Sequence, residues 1–227
     1  MRYRGIRWSG VLAVVAIIVA LIAITTPKLG SRGDAKMAQC AADLAQIGKG
    51  LAIYATANND KLPQGAGVSG ASWLCDQSIG TFGLMREALR SSVAPSGVRD
   101  PEKFFFCPKN GDQDRTAMLT GGGDYVVTGY AWFTDRGANS GGMAAGRREM
   151  IMDWIVSDTS AAGAKKWTGM TFAGRPGVYS TSHTPQKPQG ANVLSFDGHV
   201  EWRAFDERKA TALPQGAGAA VFWVPAP

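Results

Sequence analysis

The sequence predicts an α+β chain: a long N-terminal helix, membrane-spanning and then amphipathic, packed on a small antiparallel β-sheet head. Three observations predict it. A charge-free apolar run lies between Arg7 and Lys28, apolar residues at helical spacing continue from Met37 to Tyr54, and short β-branched and aromatic runs separated by Gly and Pro fill the chain after Lys61. The division that follows is a candidate leader over 1–5, a helix over 6–60 with its transmembrane part at about 8–27, and a globular head over 61–227.

The apolar run supplies roughly the 20 residues that a helix needs to cross a hydrocarbon core. Val11, Leu12, Val15, Ile18 and Leu21 are its anchor residues, and Trp8 sits at one edge, where an amphipathic ring favours the interface. Arg2, Arg4 and Arg7 precede the run. They place the short N-terminus in the cytoplasm and the head outside it, in a single pass through the inner membrane, with membrane lipid as a partner. A cleaved secretory signal is the competing reading, but the run ends Ile22-Ala-Ile-Thr-Thr-Pro-Lys28, a poor cleavage site, and the helical pattern does not stop there. Pro27 kinks or loosens the helix. Beyond it Met37, Cys40, Ala41, Leu44, Ile47, Leu51 and Tyr54 step by three or four residues, while Asp34, Lys36, Gln39, Asp43, Gln46 and Lys49 fill the other faces.

In the head, Gln64 to Gly70 reads as a Gly-rich loop, Ser72 to Cys75 as a short apolar patch and Thr81 to Leu89 as a short helix. Phe104 to Cys107 reads as a strand stopped by Pro108, Asn110 to Asp114 as a polar turn, and Tyr125 to Phe133 and Glu149 to Val156 as further strands. Asp197-Gly198 between two extended runs predicts a hairpin over Ala191 to Phe205, with Val193 opposite Trp202 and Ser195 opposite Val200. Val221 to Val224 reads as an edge strand.

The 29 glycines and the 19% of charged residues suit a loop-rich, partly β head. The net charge is +6, but the basic residues are scattered and form no stripe, which argues against nucleic acid as a partner. The cysteines are Cys40, Cys75 and Cys107. None forms a C-x-x-C pair, so structural zinc is not indicated. In an oxidising compartment they allow one disulfide and one remaining thiol, with the pair left open by the sequence; the alternative is three small buried hydrophobes.

His183 and His199 are the only histidines and both lie near the Asp-Gly turn. With Asp197, Asp153 or Asp158 they are candidates for a metal or catalytic cluster. The plainer reading has Asp197 shaping the turn and His199 pairing across it. No serine nucleophile elbow and no phosphate-cradling glycine loop is present, so catalysis is not expected. Asp112, Asp114 and Asp124 are weak candidates for Ca²⁺, the one cofactor considered. Trp132, Trp154 and Trp202 fall in predicted strands and are expected in the core, while Trp167 is the candidate for stacking on a carbohydrate.

The chain resembles the type IV pilin-like proteins, the pseudopilins of type II secretion and related machines. The residues that carry the resemblance are the leader Met1-Arg-Tyr-Arg-Gly5 with a mature start at Ile6, Pro27 as the 22nd residue from there, and the helix exit Cys40 to Tyr54 followed by Asn58-Asn-Asp-Lys-Leu-Pro63. Phe105-Phe-Cys-Pro108, His183 and the Ala191-Asn-Val-Leu-Ser-Phe-Asp-Gly-His-Val-Glu-Trp202 box resemble the large-headed bacterial subfamily. The resemblance implies cleavage between Gly5 and Ile6 by a prepilin peptidase. It also implies assembly with other pilin-like subunits and secretion proteins, with the head in the periplasm. Gly10 stands where the family carries an acid, which implies a minor or non-polymerising subunit.

Overall fold

The computed structural model describes residues 31–63, 73–93, 100–111, 113–133, 149–158, 165–183, 187–215 and 220–227. Met1–Ala35 and Lys36–Pro227 are separate compact units, and the account below concerns the second.

Helix α1, Ser31–Ala57, is built on the stripe that its spacing predicts. Cys40, Leu44, Ile47 and Leu51 are buried to 1% or less, whereas Lys36, Gln39, Lys49 and Ile53 face outward. Its end is fixed by side chains suited to left-handed backbone: Asn59 and Asp60 have φ of 56° and 58°, the Asp60 N–H donates to the Ala55 carbonyl, and Asn58 Nδ2 donates to the Tyr54 carbonyl at 2.8 Å.

Nine strands form three small antiparallel sheets among the described residues. Strands β1 (Asp76–Ser78) and β2 (Tyr125–Val127) make the first. The second has the order β3-β4-β6-β7, with β3 Tyr130–Trp132, β4 Glu149–Asp153, β6 Gly190–Ser195 and β7 Val200–Ala204. The third has the order β5-β9-β8, with β5 Val156–Asp158, β8 Thr211–Gln215 and β9 Ala220–Val224. Helix α2, Ile79–Val93, follows β1, and helix α3, Arg115–Thr120, is capped by Asp114, which accepts the Ala117 N–H at 3.0 Å.

Trp154 lies between β4 and β5, where the chain passes from the second sheet to the third. It stacks on Tyr179 at 5.1 Å and meets the edge of Phe222, and Trp73 touches Tyr179, Phe172 and Phe222. This aromatic cluster is a core shared by the two sheets. Trp132 is also fully buried, with its Nε1–H donating to Thr128 Oγ1 at 2.8 Å. Trp202 departs from its expected core position and is 42% exposed on β7, the outer strand of its sheet.

The expected fold class is corrected. Instead of one long helix on one small sheet, there are nine strands in three sheets against three α-helices among the described residues. No described helix is long and apolar enough to cross a membrane. The physical reason is plain in α1, which carries Lys36, Asp43 and Lys49 and buries one stripe only. Single-pass placement in the inner membrane with a periplasmic head depended on a spanning helix and is not supported. The leader residues Gly5 and Ile6 and the anchor residues Val11, Leu12, Val15, Ile18, Leu21 and Pro27 lie outside the described residues.

Smaller expectations also change. Phe104 to Cys107 is not a strand: residues Pro101–Phe105 form a 3-10 helix, because Asp100 accepts the Glu102 N–H and Pro101 presets the first helical φ. Tyr125 to Phe133 divides at Thr128, whose hydroxyl bonds the Cys75 and Tyr130 carbonyls, so that its halves enter different sheets. Strand β9 is central in its sheet rather than an edge. The β6–β7 hairpin forms at Asp197-Gly198, but Val193 pairs with Glu201 and Leu194 with Val200. The register shifts by one because the loop takes three residues, with Gly198 at φ 86° and the Ser195 N–H donating to the His199 carbonyl.

Candidate functional site

The one group of metal-capable side chains among the described residues is Cys40, Cys107, Asp153 and His183. Four distant segments supply it. Cys40 lies on the buried stripe of α1, and Cys107 follows the 3-10 helix just before Pro108. Asp153 is the last residue of β4, an interior strand of the four-stranded sheet. His183 ends the segment that returns from Tyr179, tied down where the Thr181 N–H donates to the Trp167 carbonyl and the Ser182 N–H to the Trp154 carbonyl.

Cys40 and Cys107 form a disulfide with Cα atoms 5.2 Å apart, within the usual span. Cys75 stays a buried thiol beside Asp76 and Arg175. The disulfide therefore fastens α1 to the head and resolves the pairing that the sequence left open.

Asp153 Oδ2 lies 2.5 Å from His183 Nε2 and accepts from both the backbone N–H and the Nδ2 of Asn192, each at 2.8 Å. With the carboxylate ionised, His183 Nε2 carries the proton and donates it to that oxygen. The same nitrogen stands 3.8 Å from Cys107 Sγ. The side chains of Asp153 and His183 are wholly buried. His183 has φ 71°, left-handed backbone that a residue with a Cβ seldom adopts, and its ring meets Trp202 edge to face at 5.4 Å. Asp153 Oδ1 and His183 Nδ1 have no hydrogen-bond partner among the described residues.

The surroundings are rich in acid. Burial pushes Asp43 up to about 6, against the Gln39 hydrogen bond and the charges of Lys103 and Arg115, and Asp153 adds to the rise. Tyr130, which pairs with Asp153 across β3 and β4, is held well above the usual phenol range by burial first and by Asp153 and Asp43 after it.

The residues that the sequence put forward together are separated. Asp197 and His199 form their own pair at 2.5 Å on the exposed hairpin turn, more than half exposed each, and neither joins His183 in a metal-capable group among the described residues. Asp158 accepts the Lys166 N–H at the end of β5. Asp114 is spent as the cap of α3, Asp112 lies outside the described residues, and the Asp124 carbonyl receives the Ile79 N–H. Trp167 is half-buried against Phe205 and Trp223, on the wall of an open cleft that Lys165, Lys187 and Arg208 also line. The sequence marks Cys40 and Cys107 as disulfide candidates only, and no motif singles out Asn192. The alternation of the Asn-Val-Leu box points Asn192 and Leu194 to one face, which is the signal that could have found it.

A second buried constellation holds the loop between Met170 and Tyr179. Arg175 grips Asp76 with both terminal nitrogens, one of them 2.9 Å from Oδ2, and its guanidinium lies over Trp73 and Tyr125 at 4.4 and 5.0 Å. Its geometry is that of a structural clamp.

No protein-family model, no curated protein and no solved structure matches the chain. Membership of the pseudopilins or of a type II secretion or type IV pilus-like machine, expected from the quoted motifs, thus gains no support from relatives.

Proposed function

We propose that the chain is a structural subunit rather than an enzyme, acting by assembly through α1, as the residues that resemble pilin-like proteins imply. The observation that carries this reading is the two-sided character of α1. One face is buried and fastened to the head by Cys40–Cys107. The other leaves Ala38, Gln39, Ala42, Lys49, Ala52 and Ile53 exposed, and its three alanines allow close approach of a second helix. Catalysis by the buried group is disfavoured, because Asp153 and His183 have no exposed side-chain surface for a substrate to meet. The trio His183, Asp197 and His199 is disfavoured as one site, since the His183 side chain is buried and the Asp197–His199 pair is exposed.

Partners on this reading are other copies or pilin-like subunits, with a prepilin peptidase acting first. N-terminal sequencing of protein made in a host with that peptidase tests the processing step. A mature start at Ile6 supports the reading and a retained Met1 overturns it. Cross-linking through a cysteine placed at Ala42 tests the assembly step: linked copies are expected, and linkage no greater than with a cysteine at exposed Lys209 counts against α1 as the contact face.

A further inference from the structure

We propose that, when the Cys40–Cys107 bond is reduced, both thiolates, His183 and Asp153 form a closed four-coordinate site for a Zn²⁺-type divalent cation. The same four side chains then hold a disulfide in one redox state and a metal in the other. This inference stands apart from the assembly reading and goes beyond it.

One donor atom from each residue lies within 4.8 Å of every other, which a single small cation at the centre can draw to bonding distance. Two sulfurs, one imidazole nitrogen and one carboxylate oxygen match the ligands of tetrahedral structural zinc and suit neither Ca²⁺ nor Mg²⁺, which prefer all-oxygen shells. The site is sealed: Cys40, Asp153 and the His183 side chain are 0% exposed and Cys107 is 1% exposed. No water-filled fourth position is needed, as in closed structural sites.

The second observation is the arrangement around the donors. Asn192 holds the Asp153 carboxylate with two hydrogen bonds, one from its backbone and one from its side chain, in the way that outer groups orient metal ligands. The left-handed backbone of His183 keeps the imidazole turned toward Cys107. Asp153 Oδ1 and His183 Nδ1 are buried polar atoms without a partner among the described residues, an arrangement that costs free energy in a dry interior. A cation on the carboxylate offsets the Asp153 part of that cost. The sequence showed no zinc signal because short-range spacing finds ligands that are neighbours in the chain, and here they come from four segments.

A dithiol reductant gives two electrons and two protons to the Sγ–Sγ bond, which breaks into two thiols while the reductant closes to its own disulfide. The divalent ion then displaces both thiol protons to solvent. The Nε2 proton of His183 leaves that nitrogen and Nδ1 takes one up, so the ring stays neutral and ligates through Nε2.

The full chain, reduced anaerobically with excess dithiol and then freed of it, is titrated with Co²⁺ as the optical probe and with Zn²⁺ in competition. The expected result is one Co²⁺ per chain, with intense thiolate-to-metal charge-transfer absorption and the visible bands of tetrahedral cobalt, displaced by Zn²⁺. The oxidised chain is expected to show none of it. Asn192→Ala is expected to weaken binding by about 10–100-fold. Asp153→Asn and a Cys40→Ser, Cys107→Ser pair are expected to lose the tetrahedral spectrum. Near-ultraviolet circular dichroism accompanies each titration. A reduced chain that is unfolded without metal and folds on its addition supports the proposal. No stoichiometric binding by the reduced chain, whether folded or unfolded, overturns it, as does an unchanged spectrum in the Cys40→Ser, Cys107→Ser pair.

Discussion

Replacing both Cys40 and Cys107 by Ala removes the covalent tie between α1 and the head, and the structure fixes how large the effect is. The bond joins residues 67 apart in sequence. In the chain-entropy treatment, closing a loop of that length removes roughly 15 cal/mol/K from the unfolded ensemble, or about 4.4 kcal/mol at room temperature. Both cysteines are buried, so trimming Sγ adds a small packing loss in the same direction. The assay is urea unfolding of the oxidised wild type and the double variant, followed by tryptophan fluorescence. The variant is expected to lose about 3–5 kcal/mol and to show a larger m-value, because its unfolded chain is no longer held compact. Thiol labelling in denaturant should find one reactive cysteine in the wild type, Cys75. A loss below about 1 kcal/mol with an unchanged m-value, or three reactive thiols in the oxidised wild type, would refute the reasoning.

Three other predictions concern the head. Arg175→Met leaves the Asp76 carboxylate at 0% exposure without its guanidinium, and the expected cost is about 3–5 kcal/mol by chemical denaturation, much of it recovered when Asp76→Asn is added. Asp43 has a folded-state pKa of about 6, above its ordinary 3.8, so the folded state binds its proton more tightly than the unfolded state does. Its contribution is most favourable below the unfolded value and is lost as pH rises through about 6; Asp43→Asn should flatten urea midpoints across that window, and parallel pH profiles would contradict this. At Gly190 an added Cβ would collide with the Arg203 backbone carbonyl and come within 2.6 Å of the Trp202 ring, so Gly190→Ala should cost about 1–3 kcal/mol in thermal or urea unfolding, and a neutral result would show that the β6–β7 pair relaxes freely to admit it.

Periodicity alone exposed the buried stripe of α1, since Cys40, Leu44, Ile47 and Leu51 need nothing beyond a helix and a neighbouring core. The Asp197-Gly198 turn was equally visible, but not its register. That depends on whether Gly198 closes a two-residue or a three-residue loop, a difference in one backbone angle. Apolar content misled at Phe104 to Cys107, where the Asp100-Pro101 start signal outweighs β propensity. It misled again at Glu149 to Val156, a single apolar run that serves two sheets with Trp154 at the crossing. Strand β8 escaped notice because it contains Pro214, a residue tolerated at a sheet edge, which is where β8 lies. At the site, the sequence offers both His183 and Asp153 as candidates. It does not offer their company, because closeness in sequence favoured Asp197 and His199 while tertiary packing brought Cys40 and Cys107. The apolar run ahead of α1 dominated the reading of location, yet the described helix that follows it is charged and one-sided.

The tie between Cys40 and Cys107 also decides how the molecule bears a mechanical load. When tension is applied between the start of α1 and the C-terminus, the force path leaves the backbone at Cys40 and re-enters it at Cys107. The intervening residues, about 230 Å of chain at roughly 3.5 Å per residue, are taken out of the stretched length. Helix α2, strand β1 and most of α1 stay slack while the sheets beyond Cys107 carry the pull. A thiol reductant therefore acts as a release for extension, lengthening the chain under tension by that amount without cutting it.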